Sequence, residues 1–384
     1  MRDDTTNPAA PQALTRIRVE GFRSLREVEL QPGRVTVLIG PNGAGKSNLL
    51  SFLRMIPLLR TQSLGRFVGE AGGASALLRY GPKVTPQLCL ELEFSQPTGA
   101  SAYHARLGYA AGDSLVFLDE VVRFTAPGAV GAKSFSLGAG HSETRLDQVA
   151  QAEGNKTAAT VRWLLSRMNF FHFHDTSATS ALRQNARAAD DRYVRSDGSN
   201  LAAFLYRLAR SELDEDRAAW RRIHALLRRV APYIKSLEPE ALHPASPGGG
   251  AIRLRWTDLR DYRFDVSDLS DGTLRALALI TALAQPPESL PVFVCIDEPE
   301  LGLHPAAVTI FAELVRSVSP RCQVLLATQS PALLDHFAPE EVVVVEQHDG
   351  ETTLRRLDPV TLEGWLEDYR LSELYDKNLL GGRP

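Results

Sequence analysis

The sequence predicts an α/β protein whose core comes in two halves separated by a long inserted segment. Three observations carry this. Short apolar runs such as "RVTVLIG", "PVFVCI", "QVLLAT" and "EVVVVE" have the length and β-branched content of buried strands. Helical periodicity alternates with them, over residues 46–60, 272–284 and 305–317. A glycine-rich loop, "GPNGAGKS", sits between the first of these strands and its helix, whereas the acidic strand end "VFVCIDEPELGLHP" arrives only in the last third of the chain.

The first 14 residues are polar and rich in Pro and Ala, which predicts a disordered tail. "TRIRVEGF", "REVEL", "QLCLELEF" and "AYHARLGYA" then alternate apolar and polar residues as half-buried strands do, so residues 15–125 form the first half of the core. Residues 126–248 form the insertion. It begins Gly/Pro/Ala-rich and becomes helical from Thr144 to Met168 and from Asn200 to Lys235, with Leu201, Phe204, Leu205 and Leu208 on one face. "HPASPGGG" ends it as a loop. The second half of the core occupies 249–346, with strands at "AIRLRW" and "YRFDV" before the α/β alternation resumes. In the extension, 347–384, "LEGWLEDYRLSELYDKNLLGG" reads as one amphipathic helix. No internal repeat or long heptad run is present, so the insertion is not a long coiled coil.

Composition bounds the class. A chain of 384 residues, 44% hydrophobic and 23% charged, buries a core large enough to need no staples. Cys89, Cys295 and Cys322 are scattered, and no secretory signal is evident, so free thiols in a cytoplasmic protein are expected. No apolar run approaches the ~20 residues of a membrane span, and no membrane partner is expected. Net charge is −3, yet Thr160 to Lys235 holds 14 Lys and Arg against 8 Asp and Glu. That excess suits a solvated helical face or a surface that contacts a phosphate backbone.

The chemistry sits in short motifs. Gly40, Gly43 and Gly45 allow positive φ and close approach to phosphate oxygens, and the loop N–H groups with the helix N-terminus favour an anion. Lys46 reaches the β- and γ-phosphates, and the Ser47 hydroxyl suits Mg²⁺. Asp297 ends a buried strand, where a carboxylate needs a cation to offset desolvation; Glu298, one residue on, suits polarisation of an attacking water. The pair also suits capping of the helix that follows. "VSDLSDGT" opens a helix, with Ser270 as its cap and Asp271 at its positive end.

Taken in order, these segments resemble the ABC-type ATPases of the RecF/SMC branch, and more narrowly the small AAA-type predicted ATPases related to OLD-family ATPase domains. "LSDGT" stands where that family has its signature, "PELGLHP" resembles its D-loop, "TQSP" its switch loop and "GFRSL" its first strand. The resemblance covers roughly residues 15–95 and 250–346. It implies a P-loop NTPase with an ABC-type head, binding ATP and Mg²⁺ through Asn42, Gly43, Ala44, Gly45, Lys46, Ser47 and Asn48, with Ser47 and Asp297 on the metal. It further implies that two heads close on ATP, Ser270 and the Gly272 N–H of one meeting the γ-phosphate held by the other. Asp271 must then point away from that phosphate. Arg23 is a candidate nucleotide contact.

Gln329 replaces the histidine usual in the switch loop. Its amide can donate to a phosphate or orient water but cannot carry a proton, so Glu298, with Lys46 and Gln329, is the expected catalytic set. "FFHFHDTS" places His172, His174 and Asp175 close in sequence, fit for packing and hydrogen bonds, a hinge or lid contact, or a metal. No Q-loop glutamine is apparent, and too few residues follow Glu346 for a Toprim-like nuclease domain. The sequence thus supports an ATP-hydrolysing homodimer acting on DNA or an effector protein, in repair or phage defence, or alternatively a nucleotide-gated binding module with negligible turnover. A transporter subunit is disfavoured by the large insertion.

Overall fold

The computed structural model describes residues 12–152, 154–242 and 250–382. β1 (Ala13–Phe22) and β2 (Leu25–Leu30) form a hairpin, and β3 (Val35–Ile39) leads through the glycine-rich loop into α1 (Lys46–Arg60). Short helices α2 (Leu64–Glu70) and α3 (Ala74–Leu77) follow. The strands β4 (Gln87–Gln96), β5 (Gly99–Ala110), β6 (Ser114–Thr125) and β7 (Lys133–Gly138) come next, then α4 (Leu146–Ala152), α5 (Lys156–Ser166) and β8 (Met168–Phe171). Beyond β9 (Ala186–Arg187), helices α6 (Leu201–Arg210) and α7 (Asp214–Val230) precede β10 (Ile234–Leu242), β11 (Ala251–Asp258) and β12 (Arg263–Asp265). An α/β run follows: α8 (Asp271–Leu283), β13 (Phe293–Asp297), α9 (Pro305–Val318), β14 (Gln323–Thr328) and α10 (Pro331–Leu334). The last elements are β15 (Val342–His348), β16 (Glu351–Arg356), α11 (Pro359–Leu366) and α12 (Leu371–Asp376).

The chain divides into two units. The first comprises 1–169, 292–295 and 323–384; the second comprises 170–291 and 296–322. The division runs through β8 and β13, whose final residues count with the second unit.

The first unit holds two six-stranded sheets. One is antiparallel, in the order β2-β1-β4-β5-β6-β7. Along β4 the alternation is visible in full: Leu88, Leu90, Leu92 and Phe94 are buried, while Glu91 and Glu93 face outward beside Arg16. The other sheet has the order β16-β15-β3-β14-β13-β8. β3 pairs in parallel with β14 and β15, and all five of its residues are buried, as a parallel strand covered on both faces requires. Three sequence expectations change here. Ala13 and Leu14 belong to β1 and not to the tail, because the Leu14 main chain exchanges hydrogen bonds of 2.6 and 3.0 Å with the Gln323 side chain. Residues 1–11 of that tail lie outside the described residues. The helix expected over 144–168 is two helices, since Gly154 takes φ 62° and Asn155 caps α5 by accepting from Ala158 N at 3.0 Å. The C-terminal amphipathic helix is likewise two, α12 starting afresh where Glu373 accepts from Arg370 N at 2.8 Å.

In the second unit β11 pairs with β10, β12 and β9 in an antiparallel sheet, and the helices α6 to α9 accompany it. The predicted face of α6 (Leu201, Phe204, Leu205, Leu208) is buried. α8 is buried over Thr273–Leu283, which is why its sequence is apolar on every side. The "HPASPGGG" loop, apart from Gly250, lies outside the described residues.

Candidate functional site

In the first unit the glycine-rich loop leaves β3 at Gly40 and enters α1 at Lys46. Gly40 must be glycine for packing: a Cβ there would run into the Val345 carbonyl. Gly43 and Gly45 must be glycine for conformation, at φ 83° and 103°. Beyond Gly43 the space is open, whereas a Cβ on Gly45 would collide with the Thr352 side chain. Lys46 is only 7% exposed, and its ammonium donates to the Gly40 carbonyl and, at 3.0 Å, to Pro41 O. Those carbonyls satisfy three of the loop's requirements at once: they hold the charge, curl the loop and set the start of the helix. Asn42, Gly43 and Ser47 are exposed, while Ala44 and Gly45 are buried. No acidic side chain occupies the first turn of α1, so its dipole meets no competing carboxylate.

Asn48 is drawn to protein. Its amide donates to Ser24 Oγ at 2.6 Å, Ser24 Oγ bonds Thr352 Oγ1 at 2.7 Å, and Thr352 Oγ1 donates to the Ala44 carbonyl at 3.2 Å. This relay ties the "GFRSL" turn and β16 to the loop, and nothing in the sequence pointed to Thr352. Arg23, beside Ser24, has a left-handed φ of 49°, is half-buried and lies over the Phe22 ring at 5.6 Å; burial lowers its pKa. Gln329 follows β14 directly, and its neighbour Thr328 pairs with Ile39, the residue before Gly40. The turn and the loop therefore leave the carboxyl ends of neighbouring parallel strands, where α/β proteins bind ligands. Gln329 is exposed.

In the second unit Ser270 caps α8, accepting from Thr273 N at 3.3 Å and donating to Thr273 Oγ1 at 2.9 Å. Ser270 and Asp271 are exposed, and a Cβ on Gly272 would meet the Gly302 carbonyl of the "PELGLHP" turn. Asp271 is engaged by Arg183 at 2.8 Å. Glu298 is half-buried and adopts a left-handed φ of 41°, rare for a side-chain-bearing residue and a form of strain that clusters at functional sites. Leu301 N donates to Glu298 O at 3.1 Å and closes the turn after β13.

The histidine segment is arranged differently from its sequence reading. In an extended chain alternate residues share a side, so His172 and His174 stand together with their rings 4.0 Å apart, while Phe171 and Phe173 are buried. Asp175 falls out of the set and accepts from Ser177 N at 3.0 Å. Asp297 takes its place: its carbonyl lies 3.0 Å from His174 Nε2 and its carboxylate 3.6 Å from His172 Nδ1. Arg275, missed in the sequence, organises the whole region. It is 5% exposed and donates to Phe173 O and His174 O at 2.9 Å each and to Leu301 O. Burial lowers its pKa. The available signal was a lone arginine in an otherwise apolar helix, which has to find acceptors.

This architecture recurs in solved structures of Smc heads. The Smc head bound to the C-winged helix domain of ScpA matches with a TM-score of 0.60 at 17% identity, covering 91% of this chain and 99% of that one. An Smc head with an extended coiled coil, bound to the C-terminal domain of ScpA derived from Pyrococcus furiosus, gives 0.59 at 15% identity over 93% and 99%. The Smc head domain with a coiled coil and joint derived from Pyrococcus yayanosii gives 0.52 at 13% identity over 93% and 99%. At such identities the likeness establishes the fold, a P-loop NTPase head of the SMC type. No curated protein matches the chain. The family described as "AAA domain, putative AbiEii toxin, Type IV TA system" matches residues 35–335, which is most of the chain. The chain belongs to that family and is an ABC/SMC-like AAA ATPase.

Proposed function

We propose that the protein is a magnesium-dependent ATP hydrolase whose heads associate on ATP. The observation that carries this is the loop itself, with Gly43 open to a ligand at φ 83° and Lys46 held at its base. The donor set fits the group: exposed Ser47 offers a hydroxyl, and Asp297 ends β13 with a half-buried carboxylate. On this reading Asn42 to Asn48 and Arg23 bind the nucleotide, with the Asn48 side-chain amide committed to Ser24. Ser47 and Asp297 hold Mg²⁺, which supplies charge neutralisation at the β- and γ-phosphates. Glu298 takes the proton of the attacking water, and Gln329 positions that water or the γ-phosphate. Ser270 and the Gly272 N–H read the γ-phosphate of ATP held by a second copy, which only ATP presents.

The work done is on DNA or on an effector protein, in repair or defence. An effector is supported by the Smc heads solved with domains of ScpA, and DNA by the arginine excess of residues 160–235. Residues 15–125 and 249–346 are taken as the two halves of the head, 126–248 as its insertion and 347–384 as an extension. Among the described residues no helix is long and apolar enough to cross a membrane.

The test uses ATP binding, hydrolysis and size measurement together. Lys46→Ala abolishes binding, and Glu298→Gln traps an ATP-bound dimer. ATP turnover is then measured with and without single- and double-stranded DNA at two salt concentrations; absence of stimulation and of salt-sensitive binding removes DNA. A second reading, a nucleotide-gated module with negligible turnover, is favoured by Gln329 standing where a histidine is usual. It holds if Glu298→Gln changes neither occupancy nor assembly.

A further inference from the structure

We propose that His172, His174 and Asp297 form a binding site for a late first-row divalent cation of the Zn²⁺ or Co²⁺ kind. One ligand atom from each residue lies within 4.8 Å of those of the other two. A tetrahedral centre with bonds of ~2.0–2.1 Å holds its ligands roughly 3.4 Å apart. Closing the difference asks for a small rotation of His172, whose side chain is 48% exposed and so is free to turn.

Two features separate this cluster from a chance meeting of polar side chains. The first is the bond between His174 Nε2 and the Asp297 carbonyl. A carbonyl only accepts, so Nε2 donates in this bond and Nδ1 is the nitrogen left to ligate. Metal-bound histidines are held in this way, one ring nitrogen donating to a carbonyl or carboxylate while the other ligates. Here the carbonyl belongs to the residue that supplies the carboxylate, which fixes two ligands relative to each other. The second is that His172 and Asp297 approach without bonding: 3.6 Å between Nδ1 and the carboxylate oxygen is too long for a hydrogen bond. Groups that converge at this spacing have room for an ion between them.

The backbone beneath is rigid. Arg275 holds the carbonyls of Phe173 and His174, and Phe171 and Phe173 are buried with their rings 5.4 Å apart, so the two histidines project from an anchored segment just beyond β8. Two imidazoles and one carboxylate form a borderline donor set that suits zinc, cobalt or nickel and disfavours Mg²⁺, a hard cation that prefers oxygen. The proposal goes beyond the ATPase reading. It meets that reading at Asp297, so occupancy by the transition metal would draw on the carboxylate assigned there to Mg²⁺.

The test needs no nucleotide. The full chain, stripped with a chelator, is titrated with Co²⁺ and followed by its visible d–d absorption, then with Zn²⁺ in competition. The expected result is one strong Co²⁺ equivalent, displaced by Zn²⁺ and not by millimolar Mg²⁺. His172→Ala, His174→Gln and Asp297→Asn each weaken it at least ~10-fold, the low end of what even an outer-shell partner costs. His174→Gln keeps an amide donor for the Asp297 carbonyl, so its unfolding midpoint reports separately whether the fold survives. Binding that persists unchanged in the histidine variants, or Co²⁺ no tighter on the wild type than on the His172→Ala/His174→Ala double variant, overturns the proposal. Because ATP is absent throughout, a failed ATPase reading leaves this result standing, and the reverse also holds.

Discussion

Arg183 Nη2 donates to Asp271 Oδ1 at 2.8 Å, and the same guanidinium donates to the carbonyls of Val266, Ser267 and Leu269 at 3.2, 2.8 and 3.1 Å. On the proposed reading Asp271 lies at the signature, where a carboxylate would repel a phosphate. Arg183 offsets that charge and draws the side chain to the protein, while Ser270 stays exposed at the head of α8. The Arg183 side chain is 8% exposed, whereas Asp271 stands largely in solvent. Arg183 also donates to Thr176 O at 2.9 Å, so Arg183→Met leaves up to four carbonyls unpaired and should destabilise the fold by about 2–4 kcal/mol in chemical denaturation. Arg183→Lys should recover only part, because one ammonium cannot span the fork. Asp271→Asn, at an exposed position, should cost under ~0.5 kcal/mol.

Gly45→Ala tests the cradle. The substitution forces a Cβ into φ 103° and into the Thr352 side chain. A left-handed conformation costs a non-glycine residue roughly 1–2 kcal/mol before any clash. We expect a loss of more than ~2 kcal/mol by denaturant titration and no measurable ATP binding by calorimetry. Adding Thr352→Ala relieves the collision but not the φ strain, so stability should return only in part.

Gln329→His restores the group usual at the end of the switch strand. The expected effect is an increase of about tenfold in kcat at saturating ATP, or ~1.4 kcal/mol of barrier. The wild-type rate should show no inflection near pH ~6.5 from this position, and the variant should acquire one. An unchanged rate would mean that positioning the water was all the site required.

Acid should weaken the fold through two histidines. His104 and His224 have pKa values lowered from the ordinary 6.5, in each case chiefly by burial. The unfolded chain therefore binds protons that the folded chain refuses, so the stabilising contribution is full above about pH 6.5 and is lost as pH falls through the lower folded values. Denaturation midpoints should therefore drop between about pH 7.5 and 5.5. His104→Gln/His224→Gln should flatten that slope, and an equally steep slope in the double variant would contradict it.

Much of the site was legible because its chemistry is local. A phosphate loop needs glycines at set spacings between a strand and a helix, so "GPNGAGKS" carries its geometry within eight letters. The same holds for "CIDEP" at the end of a buried strand and for the Ser270 cap. The relay from Asn48 through Ser24 to Thr352 was not legible, since it joins residues 24, 48 and 352 and its members are ordinary polar side chains.

By itself the sequence determined the α/β class, the strands β3, β13, β14 and β15, the phosphate loop and the acidic strand end. Periodicity and backbone sterics act over neighbouring residues and leave their pattern in the chain. Tertiary structure alone decided which polar groups are paired inside. Glu120 is a strand carboxylate that is fully buried, accepting from Tyr103 at 2.7 Å, from Thr144, and from Arg145 N at 3.1 Å. It also decided that Asp297, and not the adjacent Asp175, joins His172 and His174, and that Arg275 ties them to the turn after β13. The physical reason is common to these cases: a buried charge is tolerated only where partners converge from distant parts of the chain, and that convergence exists only once the chain has folded.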